Sequence, residues 1–153
     1  MKGFRGSVVE SINTKRFSTQ VVESISAEDI GKLPDTSIAE SIARLPGLTA
    51  QRLDGRASRV SVRGFSENES ATTFNGREQV SIGDNRGVEF DLYPSEIMSG
   101  VTVYKTPSAS IEAEGIAGVI DMQTVKPLTD SQSKMKAMAK IGRCPSTSVG
   151  PAT

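Results

Sequence analysis

The 153-residue sequence predicts an α+β domain with a small mixed β-sheet, short flanking helices and long loops. Short runs of alternating apolar and polar residues predict the strands. Two segments with helical spacing end at prolines, and polar loops separate the predicted elements. A hydrophobic content of 36% is low, but it is enough for one domain with a modest core.

The first predicted elements follow an N-terminal lead-in. Residues 1–20 are interpreted as a loosely helical or flexible segment. The pattern QVVESI at residues 20–25 alternates and predicts a strand. The segment SAED that begins at Ser26 resembles a capping box, so a short helix should follow and end near Leu33, before Pro34.

A second helix is predicted to begin at Ser37, with Asp35 as a competing cap, and to end at Pro46-Gly47. Its apolar residues recur at helical spacing and share one face; they are Ile38, Ile42 and Leu45. Such a face is more often part of a core than a groove for a partner. We therefore assign it to the core.

The remaining strands are short and lie between polar loops. They are predicted at residues 48–52, 59–63, 71–74, 100–105 and 119–125. Asn75-Gly76 is a strong signal for a tight turn, and a helical turn is predicted at residues 94–97. The segments 53–58, 66–70 and 81–88 are predicted loops. Beyond residue 127, the alternating segment 134–141 is followed by an irregular tail over 143–153.

Gly115 and Gly118 precede an apolar run and raise the possibility of a phosphate-binding loop. Such a loop needs a strand, then glycines, then a helix whose first amides face the anion. Here the glycines precede a predicted strand, and no Lys-Ser or Lys-Thr pair follows them. The order of elements therefore disfavours a nucleotide site, so these glycines need another explanation.

Composition excludes several kinds of site. The 18 basic and 18 acidic residues balance, which gives no electrostatic argument for binding nucleic acid. Histidine is absent and Cys144 is the single cysteine, so triads that use histidine and His/Cys zinc sites cannot form within the chain. We predict no metal, no cofactor and no enzymatic activity. A carboxylate-dependent glycan hydrolase stays a minor alternative, because its acids would have to face across a cleft.

Four segments in a fixed order carry a family resemblance. They are IAESIARLPGL at 38–48, VSVRGF at 60–65, TTFNGRE at 72–78, and YPSEIMSGVTVYKTPSASIEAEGIAGVIDMQTVKP at 93–127. Together they closely resemble the plug domain of TonB-dependent outer-membrane receptors. The resemblance implies a plug over residues 21–128, a lead-in at 1–20 after the expected TonB-binding motif, and the start of a first barrel strand, followed by an irregular tail, in 129–153.

The resemblance implies a function as well as a fold. A plug fills the lumen of a large β-barrel, whose polar interior suits a domain with low hydrophobicity. The expected module gates an outer-membrane receptor, contacts its ligand and is energised by TonB, with access from the periplasm. Its expected partners are a β-barrel, TonB, and a polar nutrient such as a carbohydrate or an iron chelate.

The resemblance also assigns roles to individual residues. Arg63 and Lys105 match plug cations that face glutamates on the barrel wall, although lysine stands where many relatives carry arginine. Asn75, Gly76, Gly115 and Gly118 match turn positions. The ligand-facing loops correspond to residues 51–55, 67–70 and 82–86. Their polar side chains are Arg52, Asp54, Glu67, Asn68, Glu69, Asp84, Asn85 and Arg86.

One alternative has a different biological role. A free-standing periplasmic interaction or adaptor domain could share the plug fold. The N-terminus lacks the apolar segment of a secretory signal, and no clear TonB motif precedes residue 21. We therefore expect that the chain begins inside a longer gene product. Substrate identity stays open.

Overall fold

The computed structural model describes residues 4–26, 30, 37–106, 108–111 and 115–126. Its strands form two sheets. The larger sheet has five strands in the order β1-β6-β7-β4-β5, and β2 and β3 form a separate two-stranded sheet. The bounds are β1 Val22–Ser26, β2 Leu48–Leu53, β3 Arg56–Val62, β4 Ser70–Phe74, β5 Arg77–Glu78, β6 Met98–Tyr104 and β7 Gly118–Thr124.

The larger sheet is mixed. β4 runs parallel to β7, whereas the pairs β1–β6, β6–β7 and β4–β5 are antiparallel. The predicted small mixed sheet is therefore confirmed. The predicted strands at 20–25, 71–74, 100–105 and 119–125 each correspond to a strand of this sheet, and no bound differs by more than two residues.

Two α-helices whose ends both lie among the described residues flank the sheets. α1 covers Phe4–Phe17, and α2 covers Ile38–Ala43. Of the two forms expected for the lead-in, the structure has the helix, which packs along the edge strand β1. No helix among the described residues is long and apolar enough to cross a membrane.

The core lies between the five-stranded sheet and a layer made of α2 and the β2–β3 hairpin. Ile38 and Ile42 of α2 are fully buried there, which confirms the predicted core face. On the sheet side, Val101 and Val103 alternate with exposed or half-buried neighbours, as expected for a strand with one buried face. The other large buried residues of the core are Val60, Val62, Phe90, Met98, Ile120 and Met122.

The prediction of a loop at residues 53–58 was wrong. Asp54 and Gly55 both have positive φ, at 50° and 79°, and they join β2 to β3 in a two-residue hairpin turn. Asp-Gly is a preferred pair for this turn, since its twist matches that of the flanking strands. The same geometry recurs at Asn75 and Gly76, with φ of 53° and 79°. The second turn was expected, and the first was missed.

Ser37 occupies the N-cap position of α2, as expected, but it does not cap the helix. Its hydroxyl donates to the carbonyl of Ala57 at 2.8 Å and so ties the helix start to β3. The capping-box interpretation is therefore wrong in its chemistry. The helix predicted after Ser26 and the calls for residues 129–153 lie outside the described residues, apart from Ser26, which ends β1, and the helical Ile30.

Candidate functional site

Arg59 stands at the centre of a polar cluster at one end of the molecule. It lies on β3, directly opposite Gln51 of β2. One guanidinium nitrogen, Nη2, donates to Glu89 Oε1 at 3.0 Å. The other, Nη1, lies 3.6 Å from Glu67 Oε1. The planar fork of arginine suits this arrangement, because its donors can address two carboxylates at once.

Glu67 begins a three-residue 3₁₀ turn, Glu67–Glu69, between β3 and β4. Its own backbone N–H is the largest factor that lowers the pKa of the carboxyl group. Partial burial opposes this effect, while the 2.7 Å hydrogen bond from Gln51 Nε2 and the charge of Arg59 add to it. The pKa is lowered overall, so Glu67 is ionised at neutral pH.

Glu89 is buried on the loop that follows β5. Burial raises the pKa of its carboxyl group, but hydrogen bonds from Ser81 and Arg59 outweigh burial and lower it overall. Ser81 Oγ donates at 2.8 Å, and the Ile82 N–H donates at 3.4 Å. Glu89 therefore holds the start of its own loop as well as the arginine of β3.

Two asparagines complete the cluster. Asn68 Oδ1 accepts a hydrogen bond from the Arg86 N–H at 3.0 Å, which links the two loops directly. In the amide orientation that satisfies both of its ends, Asn85 Oδ1 accepts from the Arg59 guanidinium at 2.6 and 3.1 Å. Its Nδ2 then donates to Ser81 Oγ at 3.1 Å. The loops before β4 and after β5 thus form one hydrogen-bonded unit with β3.

The structure brings together some of the predicted ligand-facing residues and leaves others apart. Those in the cluster are Glu67, Asn68, Asn85 and Arg86. Arg52, although it neighbours Gln51, directs its guanidinium to Glu40 of α2 at 3.4 Å. Asp54 sits in the hairpin turn, while Glu69 and Asp84 are exposed.

Four residues organise the cluster. Gln51 lies in the predicted ligand-facing range 51–55 but was not among its named side chains, and Arg59, Ser81 and Glu89 were not predicted. Arg59 and Gln51 come from strands that the sequence indicates but does not pair. Recognition of Asp54-Gly55 as a hairpin turn would have placed these two residues on adjacent strands. No sequence signal places Glu89, since its position depends on the path of a loop.

The two cations expected at the barrel wall have different environments. Arg63 is exposed and adopts φ of 56°, and its N–H donates to the Gly47 carbonyl at 2.7 Å. Lys105 is buried, donates to the carbonyl of Pro46 and lies 3.6 Å from Glu23 Oε1. Within this domain Lys105 is therefore satisfied internally, which differs from the predicted outward-facing role. An outward role for Arg63 stays a prediction.

Two glycines at and before the start of β7 pack closely against neighbouring backbone. Gly118 opens β7 with φ of 146°, and a Cβ on it would lie 2.6 Å from the Tyr104 carbonyl oxygen. A Cβ on Gly115 would lie 2.7 Å from the Gly118 carbonyl oxygen. Real Cβ atoms do not approach so closely, so both positions require glycine.

The described residues contain no group of three or more His, Cys, Asp or Glu placed to hold a metal ion.

Comparison with known families gives the fold an identity. The family model described as TonB-dependent Receptor Plug Domain matches residues 14–119. The chain belongs to this plug-domain family. It is also similar to the vitamin B12 transporter BtuB of Vibrio vulnificus (strain CMCP6), with 29% identity over 121 residues. That match covers 77% of this chain and 19% of the transporter.

Solved structures show the same fold. The copper transporter OprC matches with a TM-score of 0.59 at 20% identity, over 71% of this plug-family chain and 18% of its own. The hemophore receptor HasR of Serratia marcescens, solved with its hemophore HasA and heme, gives 0.57 at 23% identity over 71% and 17%. The siderophore receptor PirA of Pseudomonas aeruginosa gives 0.53 at 25% identity over 69% and 18%. The chain thus spans about a fifth of the length of these relatives, which are named as transporters and receptors.

Proposed function

We propose that this plug domain is the gating and ligand-contacting module of an outer-membrane active-transport receptor energised by TonB. The family match over residues 14–119 carries the proposal. Its place is the lumen of a β-barrel, accessible from the periplasm. Its ligand is a polar nutrient, and the relatives named for vitamin B12, heme and copper support a nutrient of this kind.

The Arg59-centred cluster, consisting of Gln51, Arg59, Glu67, Asn68, Ser81, Asn85, Arg86 and Glu89, is our candidate for the ligand-contacting surface. Loops carried by a rigid scaffold are common places for binding residues. Here the scaffold is the core under β3, where Val60, Ser61 and Val62 are all buried. Asn68 of this cluster and the neighbouring Glu69 are exposed and can offer hydrogen-bonding groups to a polar ligand.

Arg63 is our candidate for a contact with the barrel wall. It is exposed, and the Gly47 carbonyl holds its backbone in place. A plug that must move needs contacts that are specific but breakable. Hydrated ion pairs fit this need, because each contributes only about 0–1 kcal/mol.

Uptake by living cells tests the proposal. A receptor that carries this chain as its plug, together with a barrel and a TonB motif, is expressed in cells with and without TonB. We expect accumulation of a labelled polar nutrient in the first cells and not in the second. Equal accumulation in both would contradict the energised-transport role.

The affinity of the chain by itself separates the plug from an adaptor domain. We expect weak binding of small polar ligands, because a plug contributes only part of the surface that buries a ligand. Isothermal titration calorimetry with vitamin B12, heme, ferric siderophores and oligosaccharides measures this. Nanomolar affinity for any of them would instead indicate a self-contained binding protein.

A further inference from the structure

We propose that Arg59 is a positioning residue that joins the Glu67–Glu69 turn and the loop segment 81–89 into one preformed surface. The proposal rests on the proposed ligand-contacting role of these loops and adds a residue that holds them in register. Arg59 itself is three-quarters buried at its side chain, with 25% exposed, so it acts from beneath the surface.

Arg59 anchors both loops to β3. The turn precedes β4 and the segment follows β5. The chain therefore forms both of these strands before the two loops meet. The Arg86 N–H to Asn68 bond links them at the surface. Beneath that bond, one guanidinium addresses Glu67 from one loop and Glu89 from the other.

The charge of Arg59 also contributes to holding the two loops together. Both carboxyl groups have lowered pKa values and are ionised at neutral pH. Loss of the shared cation would leave two negative charges on neighbouring loops, and like charges at short range repel. The expected consequence is separation of the loops, while the hydrophobic core beneath Val60 and Val62 stays packed.

Packing supports the same arrangement. The segment 81–89 passes so close to the turn that a Cβ on Gly87 would overlap the side chain of Glu67 and lie 3.5 Å from Arg59 Cδ. Glycine at this point lets the loop backbone lie directly against the charged pair. The three side chains are therefore placed by contact as well as by charge.

Amide hydrogen exchange followed by NMR on the purified chain tests this role. Arg59→Gln should raise exchange on the order of tenfold at Asn68 in the turn and at Ile82, Gly83 and Arg86 in the loop, while strands β6 and β7 keep their rates. Arg59→Lys keeps the charge but not the fork, so a smaller increase is expected. Arg52→Gln, an exposed arginine on the same hairpin, is the matched control and should change none of these amides.

Two further variants make the test specific. Glu67→Gln should loosen only the turn, and Glu89→Gln only the loop, whereas Arg59→Gln loosens both. Equal acceleration of the loops and of β6 and β7 would overturn the proposal, because Arg59 would then act only on global stability. Unchanged loop amides would overturn it as well. A receptor that imports nothing while these exchange patterns hold would contradict the proposed function and leave the positioning role of Arg59 intact.

Discussion

Arg59 and Lys105 are both largely shielded from solvent, but different kinds of group bind the two cations. Arg59 is bound by side chains from two loops, Glu67 and Glu89. Lys105, at the end of β6, is bound by the main-chain carbonyl of Pro46 and by Glu23 of the edge strand β1. Its side chain is 8% exposed, compared with 25% for Arg59.

The difference suggests that the loops around Arg59 can rearrange, whereas the contacts of Lys105 are part of the folded core structure. Side chains on loops can reorganise at little cost to the core. The lysine, by contrast, is enclosed by backbone atoms of several elements. A Cβ on Gly47 would lie 3.7 Å from its ammonium nitrogen, and a Cβ on Gly118 would lie 3.5 Å from its Cα. Glu23 also forms an ion pair with Lys15, so the lysine site is connected to α1.

Substitution of one glycine in each region gives the largest expected contrast. Gly118→Ala places a Cβ 2.6 Å from the Tyr104 carbonyl oxygen at φ of 146°, so strand pairing must shift. Backbone strain and overpacking together should destabilise the domain by about 4 kcal/mol. In Gly87→Ala the new Cβ would lie 2.4 Å from Glu67 Cγ, so the loop and the turn must separate; we expect a smaller loss of about 2 kcal/mol, because these loops can shift while the sheet stays paired. Urea unfolding at neutral pH measures both, and equal losses would contradict the distinction.

Removal of the buried lysine charge should have the next largest effect. Lys105→Met leaves the Pro46 carbonyl without this donor and Glu23 without one of its two cations. Breaking a buried pair in this way should cost about 3 kcal/mol of unfolding free energy. The double variant Lys105→Met with Glu23→Met should recover part of this loss, since no buried carboxylate then remains. A double variant less stable than Lys105→Met would contradict the pairing.

The two regions also differ in how far the sequence predicts them. The strands and the buried face of α2 follow from periodicity, because Ile38, Ile42 and the alternating valines of β6 must share a core. The Asn75-Gly76 turn follows from local backbone preference. Such features depend on residues close in sequence, so the fold was largely predictable.

The candidate site was only partly predictable. Residues on the correct loops were indicated by resemblance, and Glu67, Asn68, Asn85 and Arg86 do meet. The central pair of Arg59 and Glu89 was missed, since it joins residues 30 positions apart through a loop path that no local pattern specifies. The internal contacts of Lys105 were not predicted for the same reason, because they depend on where Pro46 and Glu23 pack.

Acid should weaken the arginine region only as the pH falls below the ordinary glutamate pKa of 4.5. Glu67 and Glu89 have lowered pKa values in the folded chain relative to their ordinary value of 4.5. Their contribution to stability is therefore complete above that value and is lost as the pH falls through the lower folded values. In Glu67→Gln with Glu89→Gln, urea unfolding between about pH 5 and pH 3 should show a smaller loss of stability than in the unmodified chain. An identical loss in both would mean that the fold does not stabilise these two carboxylates in their ionised form.

The smallest effect on the isolated chain is expected for Arg63, which extends the comparison to a cation that the fold leaves exposed. Arg63→Ala should leave the urea midpoint unchanged, because exposed substitutions away from special contacts have little effect, and alanine retains the N–H that bonds Gly47. The same variant in a receptor with its barrel should increase passive leak of small solutes, since an opposing wall carboxylate would lose its partner. Ligand affinity should stay constant, because Arg63 has no contact with the Arg59-centred cluster among the described interactions. Lys105→Met is the matched comparison, as it destabilises the isolated plug as well. Unchanged leak with Arg63→Ala would show that this arginine is an ordinary solvated charge. Loss of ligand binding at constant expression would instead place the binding surface at the other end of the domain.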